Sequence, residues 1–230
     1  MKKNEAHIWL YEDQGASLPY ASMLLLNAEE KNRYDQYLSP AKQREFLLGK
    51  LLTRHVLSQY TGDLPENIQV EYNSENKPVL PGNPFYFNLS HSGNALAVIV
   101  AGSQTGVDVE YMRRNILRDH YTHIFTTSEI AELKSREGDA RVERFFQLWT
   151  LKEAFWKALD FSSHLPFNDF SFTFDPLAVH AGSVGLPDTK WNFSVEIWRE
   201  NFMLATATEI SGEEPFTMKY FEPEWITGLQ

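Results

Sequence analysis

The sequence contains no cysteine. This absence excludes disulfide bonds, thiolate metal sites and a cysteine nucleophile, and it is compatible with a reducing cytoplasm. Basic residues are also few, because 21 lysines and arginines stand against 31 aspartates and glutamates, giving a formal net charge of −10. A general nucleic-acid binder is usually basic, so we disfavour that class. An anionic ligand would have to be held by a local basic cluster or by a metal ion.

Long apolar runs are missing as well. No stretch approaches the ~20 consecutive apolar residues that a membrane helix needs. The N-terminus begins like a signal peptide, but its short apolar stretch soon meets Glu12 and Asp13, which favours a strand. The composition is nevertheless 43% hydrophobic and 14% aromatic, which predicts a packed core. We therefore expect a cytoplasmic protein without a membrane segment.

The predicted elements repeat one order, a helix followed by four strands. The first set has a helix over 40–60 and strands near 68–72, 85–89, 95–101 and 106–110, after an initial strand at 7–11; the second has a helix over 141–159 and strands near 169–174, 191–198, 202–208 and 216–221. This order predicts an α+β fold of two similar halves, residues 1–110 and 111–230, related by a pseudo-twofold. In each half a helix packs on a small, mostly antiparallel sheet. The halves form a single compact unit with the active site in the cleft between them.

Two carboxylates end the strand predicted near 106–110. Residues two apart in a strand point to the same face, so Asp108 and Glu110 leave one face while Val107 and Val109 enter the core. Magnesium prefers oxygen ligands, typically one or two carboxylates together with substrate phosphates. The pair therefore indicates either a magnesium site or a solvated polar face at a strand end.

The second predicted helix carries charges within an apolar surface. Trp149, Glu153 and Lys157 share one of its faces, and a helix that is apolar nearly all round is usually buried. One interpretation makes Glu153 a third metal ligand, with Lys157 facing the same substrate oxygens. The other makes them an exposed i,i+4 ion pair, with Lys152 extending its ammonium to solvent.

A predicted loop follows the strand near 85–89. It contains two hydroxyls, an imidazole and a glycine in the order Ser90, His91, Ser92, Gly93. Such a loop can offer backbone N–H groups and a histidine to phosphate oxygens, but the same residues also make ordinary turns.

Most of the cations near the first helix belong to one basic cluster. It could hold a phosphate monoester, or it could be a solvated helix face. Its members are Lys31, Arg33, Lys42, Arg44, Lys50, Arg54 and His55.

Taken together, these motifs resemble the 4′-phosphopantetheinyl transferase superfamily, in its larger, two-half, Sfp-like branch. The resemblance is carried by residues 87–93, 106–110 and 146–157, whose order and spacing fit the family. It implies transfer of the 4′-phosphopantetheine group of coenzyme A to a serine of an apo acyl or peptidyl carrier protein, with release of 3′,5′-ADP. It also implies a monomer whose two halves mimic a dimer.

The resemblance assigns roles to individual residues. The magnesium ligands would be Asp108, Glu110 and Glu153. Lys157 would face the pyrophosphate and stabilise charge on the departing phosphate. Glu153, Glu129 or a water at the metal would accept the serine proton. Coenzyme A would be held by Lys31, Arg44, Lys77, Pro78, Ser90, His91 and Lys157.

Two other functions remain open on the sequence. A magnesium-dependent nucleotide phosphohydrolase would use the same three carboxylates equally well. A catalytically silent module that binds carrier proteins is disfavoured by the complete set of carboxylates with Lys157. Two interpretations apply to Arg113, Arg114 and Arg118: a basic rim that docks the carrier protein, or a solvated loop.

Overall fold

The computed structural model describes residues 1–18, 20–82, 85–113, 123–159, 165–183, 185–186, 188–210 and 215–223. Arg114 and Arg118 lie outside these ranges. The helices are α1 (Ala28–Gln36), α2 (Pro40–Thr61), α3 (Thr127–Lys134) and α4 (Gly138–Ala158). The strands are β1 (Glu5–Glu12), β2 (Glu71–Tyr72), β3 (Pro78–Val79), β4 (Tyr86–Ser92), β5 (Ala95–Ala101), β6 (Thr105–Tyr111), β7 (Phe170–Phe174), β8 (Leu177–Ala181), β9 (Lys190–Trp198), β10 (Phe202–Ile210) and β11 (Thr217–Phe221).

Two main sheets organise the chain. The first has the order β11-β1-β5-β4 and the second the order β6-β10-β9, beside the two-stranded pairs β2-β3 and β7-β8. Only β1 and β11 pair in parallel among the described strands. The predicted α+β class with mostly antiparallel sheets is confirmed. No helix in the described ranges combines the length and hydrophobicity that crossing a membrane requires.

Each long helix covers one main sheet. Leu52 and Val56 of α2 lie in one apolar cluster with Val98 and Val100 of β5. Phe155 of α4 belongs to another cluster, which it shares with alanines and a methionine of β10. The first cluster follows from the apolar periodicity of α2, and the second from the nearly all-round apolar surface of α4.

The strand pairing crosses the boundary expected between residues 110 and 111. β11, from the end of the chain, pairs with β1 and so completes the first sheet. β6 pairs with β10 and so belongs to the second sheet. Each half of the sequence therefore supplies a strand to the sheet of the other half.

The predicted loop at 90–93 is wrong in its first three residues. β4 continues to Ser92, because Ser90, His91 and Ser92 stay in register with Ala97, Leu96 and Ala95 of β5. The chain turns only at Gly93, whose φ of 62° is the left-handed conformation that glycine tolerates. Ser90 and His91 therefore project from a rigid strand.

Two helices were absent from the sequence prediction. α1 and α3 each begin with a capping box, formed by Asn27 with Glu30 and by Thr126 with Glu129. The spacing of a capping residue and a glutamate three positions later was present in the sequence as a helix-start signal. Both helices are short, with nine and eight residues, and show little apolar periodicity.

Helix α4 lies directly on β6 at Gly106. A Cβ atom at this position would stand 2.1 Å from the carbonyl oxygen of Ala154 and 2.7 Å from the backbone nitrogen of Ala158. Both are backbone atoms, so neither can rotate away. The absence of a side chain at residue 106 therefore sets how closely α4 approaches the strand that carries Asp108 and Glu110.

We expect Gly106→Ala to separate α4 from β6. Overpacking typically costs about 1–3 kcal/mol, and this contact with backbone lies at the upper end or beyond. Gly62→Ala is the matched control, since nothing lies within 4 Å of its Cβ position and only its φ of 79° opposes the change. Urea denaturation should show a larger loss of stability for Gly106→Ala; equal losses would contradict close packing at residue 106.

Candidate active site

The site begins where the two main sheets meet. β4 and β6 lie side by side there, although β4 forms its backbone ladder with β5 and β6 with β10. Side chains of alternate β4 residues accept hydrogen bonds from backbone N–H groups of alternate β6 residues, an arrangement we call the β4–β6 ladder. Its bonds join Val107 N to Asn88 Oδ1 (3.1 Å), Val109 N to Ser90 Oγ (3.3 Å) and Tyr111 N to Ser92 Oγ (3.1 Å).

The two carboxylates of β6 point toward the hydroxyls of this ladder. Ser90 Oγ donates to Asp108 Oδ1 at 2.8 Å, and Ser92 Oγ donates to Glu110 Oε2 at 2.7 Å. From α4, Trp149 Nε1 donates to Glu110 Oε1 at 3.0 Å. Val107 and Val109 lie in the core on the opposite side, as the alternation of the strand predicted.

Lys157 of α4 reaches the same place. Its ammonium lies 2.6 Å from Asp108 Oδ1 and 3.2 Å from Ser90 Oγ. Asp108 is only 3% exposed, and burial raises its pKa to about 6 although Lys157 opposes the rise. Its second oxygen, Oδ2, is buried and has no hydrogen-bond partner among the described residues. A buried carboxylate oxygen without a partner is costly, so a cation or hydrogen-bond donor bound at this atom would be stabilising.

Glu153 belongs electrostatically to the same group. Burial raises the pKa of Glu153 to about 7, and the negative charges of Asp108 and Glu110 add to this rise while Lys157 lowers it. The three carboxylates are therefore close enough to repel one another. One lysine does not neutralise three acids, so the cluster favours a further cation.

The carboxylate oxygens of this cluster are the kind of ligand that magnesium prefers. Within the described ranges, no group of three or more histidine, cysteine, aspartate or glutamate side chains is already arranged to hold a metal ion. The chemistry still fits, because the carboxylates offer only oxygen and Asp108 Oδ2 is unused. In the structure, the ammonium of Lys157 forms an ion pair with the other oxygen of Asp108.

Glu129 lies in a different environment from the one expected for it. Its carboxylate pairs with Lys152 at 3.0 Å and accepts the backbone N–H groups of Thr126 (2.8 Å) and Phe172 (3.1 Å). Lys152 is fully buried, and its ammonium also donates to the carbonyl oxygens of two phenylalanines, 167 and 170. The alternative interpretation, in which Lys152 extends its ammonium to solvent, is therefore wrong. Glu129 joins α3 to α4 and β7, and these contacts occupy both of its oxygens.

A cavity of about 190 Å³ opens on the α2 side of β4, where it is lined by Phe87, Leu89 and His91, the residues that alternate with those of the β4–β6 ladder. His91 lines it, as the next β4 residue after Ser90, and Pro78 lines it from β3. The remaining charged and aromatic lining comes mainly from α1, α2 and β2. These residues are Arg33, Lys50, Arg54, Glu45, Tyr37, Phe46 and Tyr72.

Three of the lysines and arginines expected to bind coenzyme A lie outside the lining of this cavity. Lys31 is exposed and pairs with Asp35 at 3.4 Å. Arg44 is held by Asp13 and donates to the carbonyl oxygen of residue 16 at 2.7 Å. Lys77 extends to the end of α4, where its ammonium donates to the carbonyl oxygen of Ala158 at 3.1 Å. None of the three lines the cavity.

The cavity cations come from the same basic cluster that the sequence showed. Lys50 and Arg54 stand one helical turn apart on α2 and share a buried partner, Glu30, at 3.0 and 2.7 Å. The i,i+4 spacing was the available signal that they occupy one face. The sequence could not show which acidic residue each cation meets.

Comparisons with known proteins identify the family of this chain. The family model described as the 4′-phosphopantetheinyl transferase superfamily matches residues 104–207, and the one described as 4′-phosphopantetheinyl transferase, N-terminal, matches residues 17–105. A putative 4′-phosphopantetheinyl transferase of Synechocystis sp. is 33% identical over 162 residues, covering 67% of this chain and 64% of the relative. The 4′-phosphopantetheinyl transferase HetI of Nostoc sp. is 33% identical over 163 residues, covering 67% and 68%. The chain belongs to the 4′-phosphopantetheinyl transferase superfamily.

Further relatives are more distant or cover less of this chain. The 4′-phosphopantetheinyl transferase Sfp of Bacillus subtilis is 31% identical over 160 residues, covering 64% of this chain and 70% of the relative. A crystal structure of a holo-(acyl-carrier-protein) synthase from Bacillus anthracis, in complex with CoA (3′,5′-ADP), aligns at 20% identity with a TM-score of 0.41. It covers 47% of this chain and 97% of that chain.

The raised pKa of Glu153 predicts a pH-dependent stability. In the folded protein this carboxyl has a pKa of about 7, against an ordinary pKa of 4.5, so the folded state holds its proton to a higher pH than the unfolded chain does. The stability of the fold therefore falls as the pH rises from about 4.5 to about 7. Without divalent cations, we expect Glu153→Gln to be more stable than the parent at pH 8. The gain should be at least about 1 kcal/mol, or roughly 2–4 °C in melting temperature.

The gain should vanish near pH 4.5, where the parent carboxyl is also neutral. Glu143→Gln, at an exposed position of the same helix, is the control and should show neither effect. A Glu153→Gln protein with no gain at pH 8 would contradict the proposed crowding of carboxylates.

The buried Lys152–Glu129 pair gives a second prediction. Removing one partner leaves the other charged and buried, which typically costs about 3–5 kcal/mol. We expect Lys152→Met and Glu129→Gln each to lose this much in urea denaturation, and the double variant to lose much less than their sum. Lys134→Met, at an exposed position of α3, is the control. Additive losses would mean that the two side chains are not coupled.

Proposed function

We propose that this protein transfers the 4′-phosphopantetheine group of coenzyme A to a serine hydroxyl of an apo carrier protein, releasing 3′,5′-ADP. The observation that carries the proposal is Asp108, a buried carboxylate with one oxygen on Lys157 and the other unused. It lies beside Glu110 and Glu153 at the junction of the two sheets. Membership of the transferase superfamily supports the same reaction.

The proposed roles divide between a charge site and a nucleotide site. Asp108, Glu110 and Glu153 would hold magnesium, which when bound neutralises the oxygens of the diphosphate. Lys157 would hold a phosphate oxygen and stabilise the charge that develops on the departing group. The cavity of cationic and aromatic residues suits the phosphorylated adenosine end of coenzyme A, because cations pair with phosphate and aromatic rings stack on a base.

The proton of the attacking serine needs an acceptor. Two carboxylates were expected for this role, Glu153 and Glu129. The contacts favour Glu153, because Glu129 is bonded to Lys152 and to two backbone N–H groups.

The assembly and location follow from the same proposal. The resemblance to the two-half branch of the family supports a monomer whose halves play the part of two subunits. A cytoplasmic location suits an enzyme of this kind. Fatty-acid, polyketide and nonribosomal-peptide carriers all remain open as partners.

A direct assay tests the proposal. Incubation with magnesium, coenzyme A and an apo carrier protein should raise the carrier mass by one phosphopantetheine. Glu153→Gln should abolish this gain, and Glu143→Gln should leave it intact. Phosphate release without a carrier would indicate a phosphohydrolase instead, and carrier binding without a mass gain would indicate a silent binding module.

The role of Lys157 is separable within the same assay. Lys157→Met should lower the turnover number by at least about tenfold while changing the dissociation constant of coenzyme A far less, because the charge it offsets develops during the reaction. An unchanged turnover number would remove Lys157 from the chemical step.

A further inference from the structure

Three aromatic rings form a stack along α4, beside the face that carries Glu153. The ring of Phe167 stacks on two indoles, those of Trp149 and Trp156, with ring centroids 6.0 and 5.7 Å apart and planes inclined by 15° and 25°. Aromatic pairs at such separations attract one another beyond the apolar area that they bury. None of the three rings takes part in the proposed chemistry, so the stack needs another explanation.

Trp149 connects this stack to the carboxylate cluster. Its indole N–H donates to Glu110 Oε1 at 3.0 Å. The N–H of an indole points outward in the plane of the ring, so the bond forms only when that plane is held at the right angle. Phe167 lies nearly parallel to the indole and therefore supports this plane. The bond leaves further lone pairs of the Glu110 carboxylate free for a cation, so it is compatible with the proposed magnesium site.

The backbone around Phe167 is fixed to the same helix. Lys152 donates to the carbonyl oxygen of Phe167 at 2.8 Å, and the indole N–H of Trp156 donates to the carbonyl oxygen two residues earlier at 3.2 Å. Lys152 is in turn held by Glu129. Both donors belong to the stripe of α4 that begins at Trp149, at positions i+3 and i+7. The buried ion pair therefore also determines where Phe167 lies.

We propose that Phe167 is a positioning residue for Glu110, on which it acts through the indole of Trp149. The inference rests on the proposed function only in treating Glu110 as a ligand of magnesium. A hydrogen bond to a charged group is strong enough that its loss should change a dependent affinity by about tenfold or more. A change at Phe167 should therefore reach the metal site, although Phe167 is not a member of the carboxylate cluster.

The first test needs neither metal nor substrate. The chain has six tryptophans, so its NMR spectrum contains six indole N–H signals, and Trp149→Phe identifies that of Trp149. In the parent protein, Glu110→Gln should shift this signal, because the acceptor of the indole N–H loses its charge. In Phe167→Ala, the same change at Glu110 should leave the signal nearly unmoved. A full shift in that background would overturn the proposal.

The second test measures Mn²⁺ binding without coenzyme A. Phe167→Ala and Trp149→Phe should each weaken binding about tenfold, whereas Phe167→Tyr, which keeps the ring, should bind like the parent. Once Trp149→Phe has removed the indole N–H, adding Phe167→Ala should weaken binding no further. Losses that add would mean that Phe167 acts by another route, and they would overturn the proposal.

Two further variants separate positioning from general packing. Phe85→Ala also removes a half-buried ring, but Phe85 packs on Tyr60 in the first half, so this control should keep the Trp149 signal and the Mn²⁺ affinity. Phe167→Leu keeps most of the apolar volume and lacks the flat face. It should repeat both effects of Phe167→Ala, and it takes the place of that variant if the alanine protein does not fold.

The two tests also separate this inference from the proposed function. If the parent protein binds no Mn²⁺, the proposed metal-dependent function fails, and the NMR experiment still decides whether Phe167 positions Trp149 on Glu110. If the parent binds Mn²⁺ and Phe167→Leu matches it in both Mn²⁺ affinity and the Glu110-dependent shift, the proposed function stands and the role of Phe167 is refuted.

Discussion

The site depends on hydrogen bonds that run from side chains of one sheet to the backbone of another. The N–H groups along the β4-facing edge of β6 need partners once they are buried. Asn88, Ser90 and Ser92 supply them, in place of a neighbouring strand's carbonyl groups. Since β4 offers side chains here, the two sheets meet at a polar seam. That seam brings both β6 carboxylates against hydroxyl groups and against α4.

The chain concentrates like charge at this seam and holds it there by packing. The charge of Glu110 raises the pKa values of Asp108 and Glu153, that of Asp108 raises the pKa of Glu153 further, and Lys157 offsets only part of these rises. The close approach of α4 at Gly106 keeps the helix charges beside the strand charges. Burying these like charges side by side lowers the stability of the fold, a cost that proteins commonly carry at functional sites.

The sequence predicted the elements with strong periodicity and failed where turn-forming residues lie in strands. The long helices and the strands of β5, β6, β9 and β10 were clear from apolar spacing. Ser90 and Ser92 resembled a loop, because only their pairing with Ala97 and Ala95 makes them strand. The residues of the carboxylate site could be predicted from the sequence, because charged side chains are unusual within apolar strands and helices. The sequence could not show which acid pairs with which cation, because Arg44 contacts Asp13 and Arg54 contacts Glu30 only in the folded chain.

The parallel pairing of β1 with β11 has a consequence for synthesis of the chain. β1 and its neighbour β11 are separated by more than 200 residues, so β1 is translated well before its partner. Until then, the growing polypeptide has an open sheet edge, which is a site for mispairing and aggregation. The nascent protein therefore cannot complete its first sheet in order of translation. This sheet closes only when two strands that lie far apart in the sequence pair with each other.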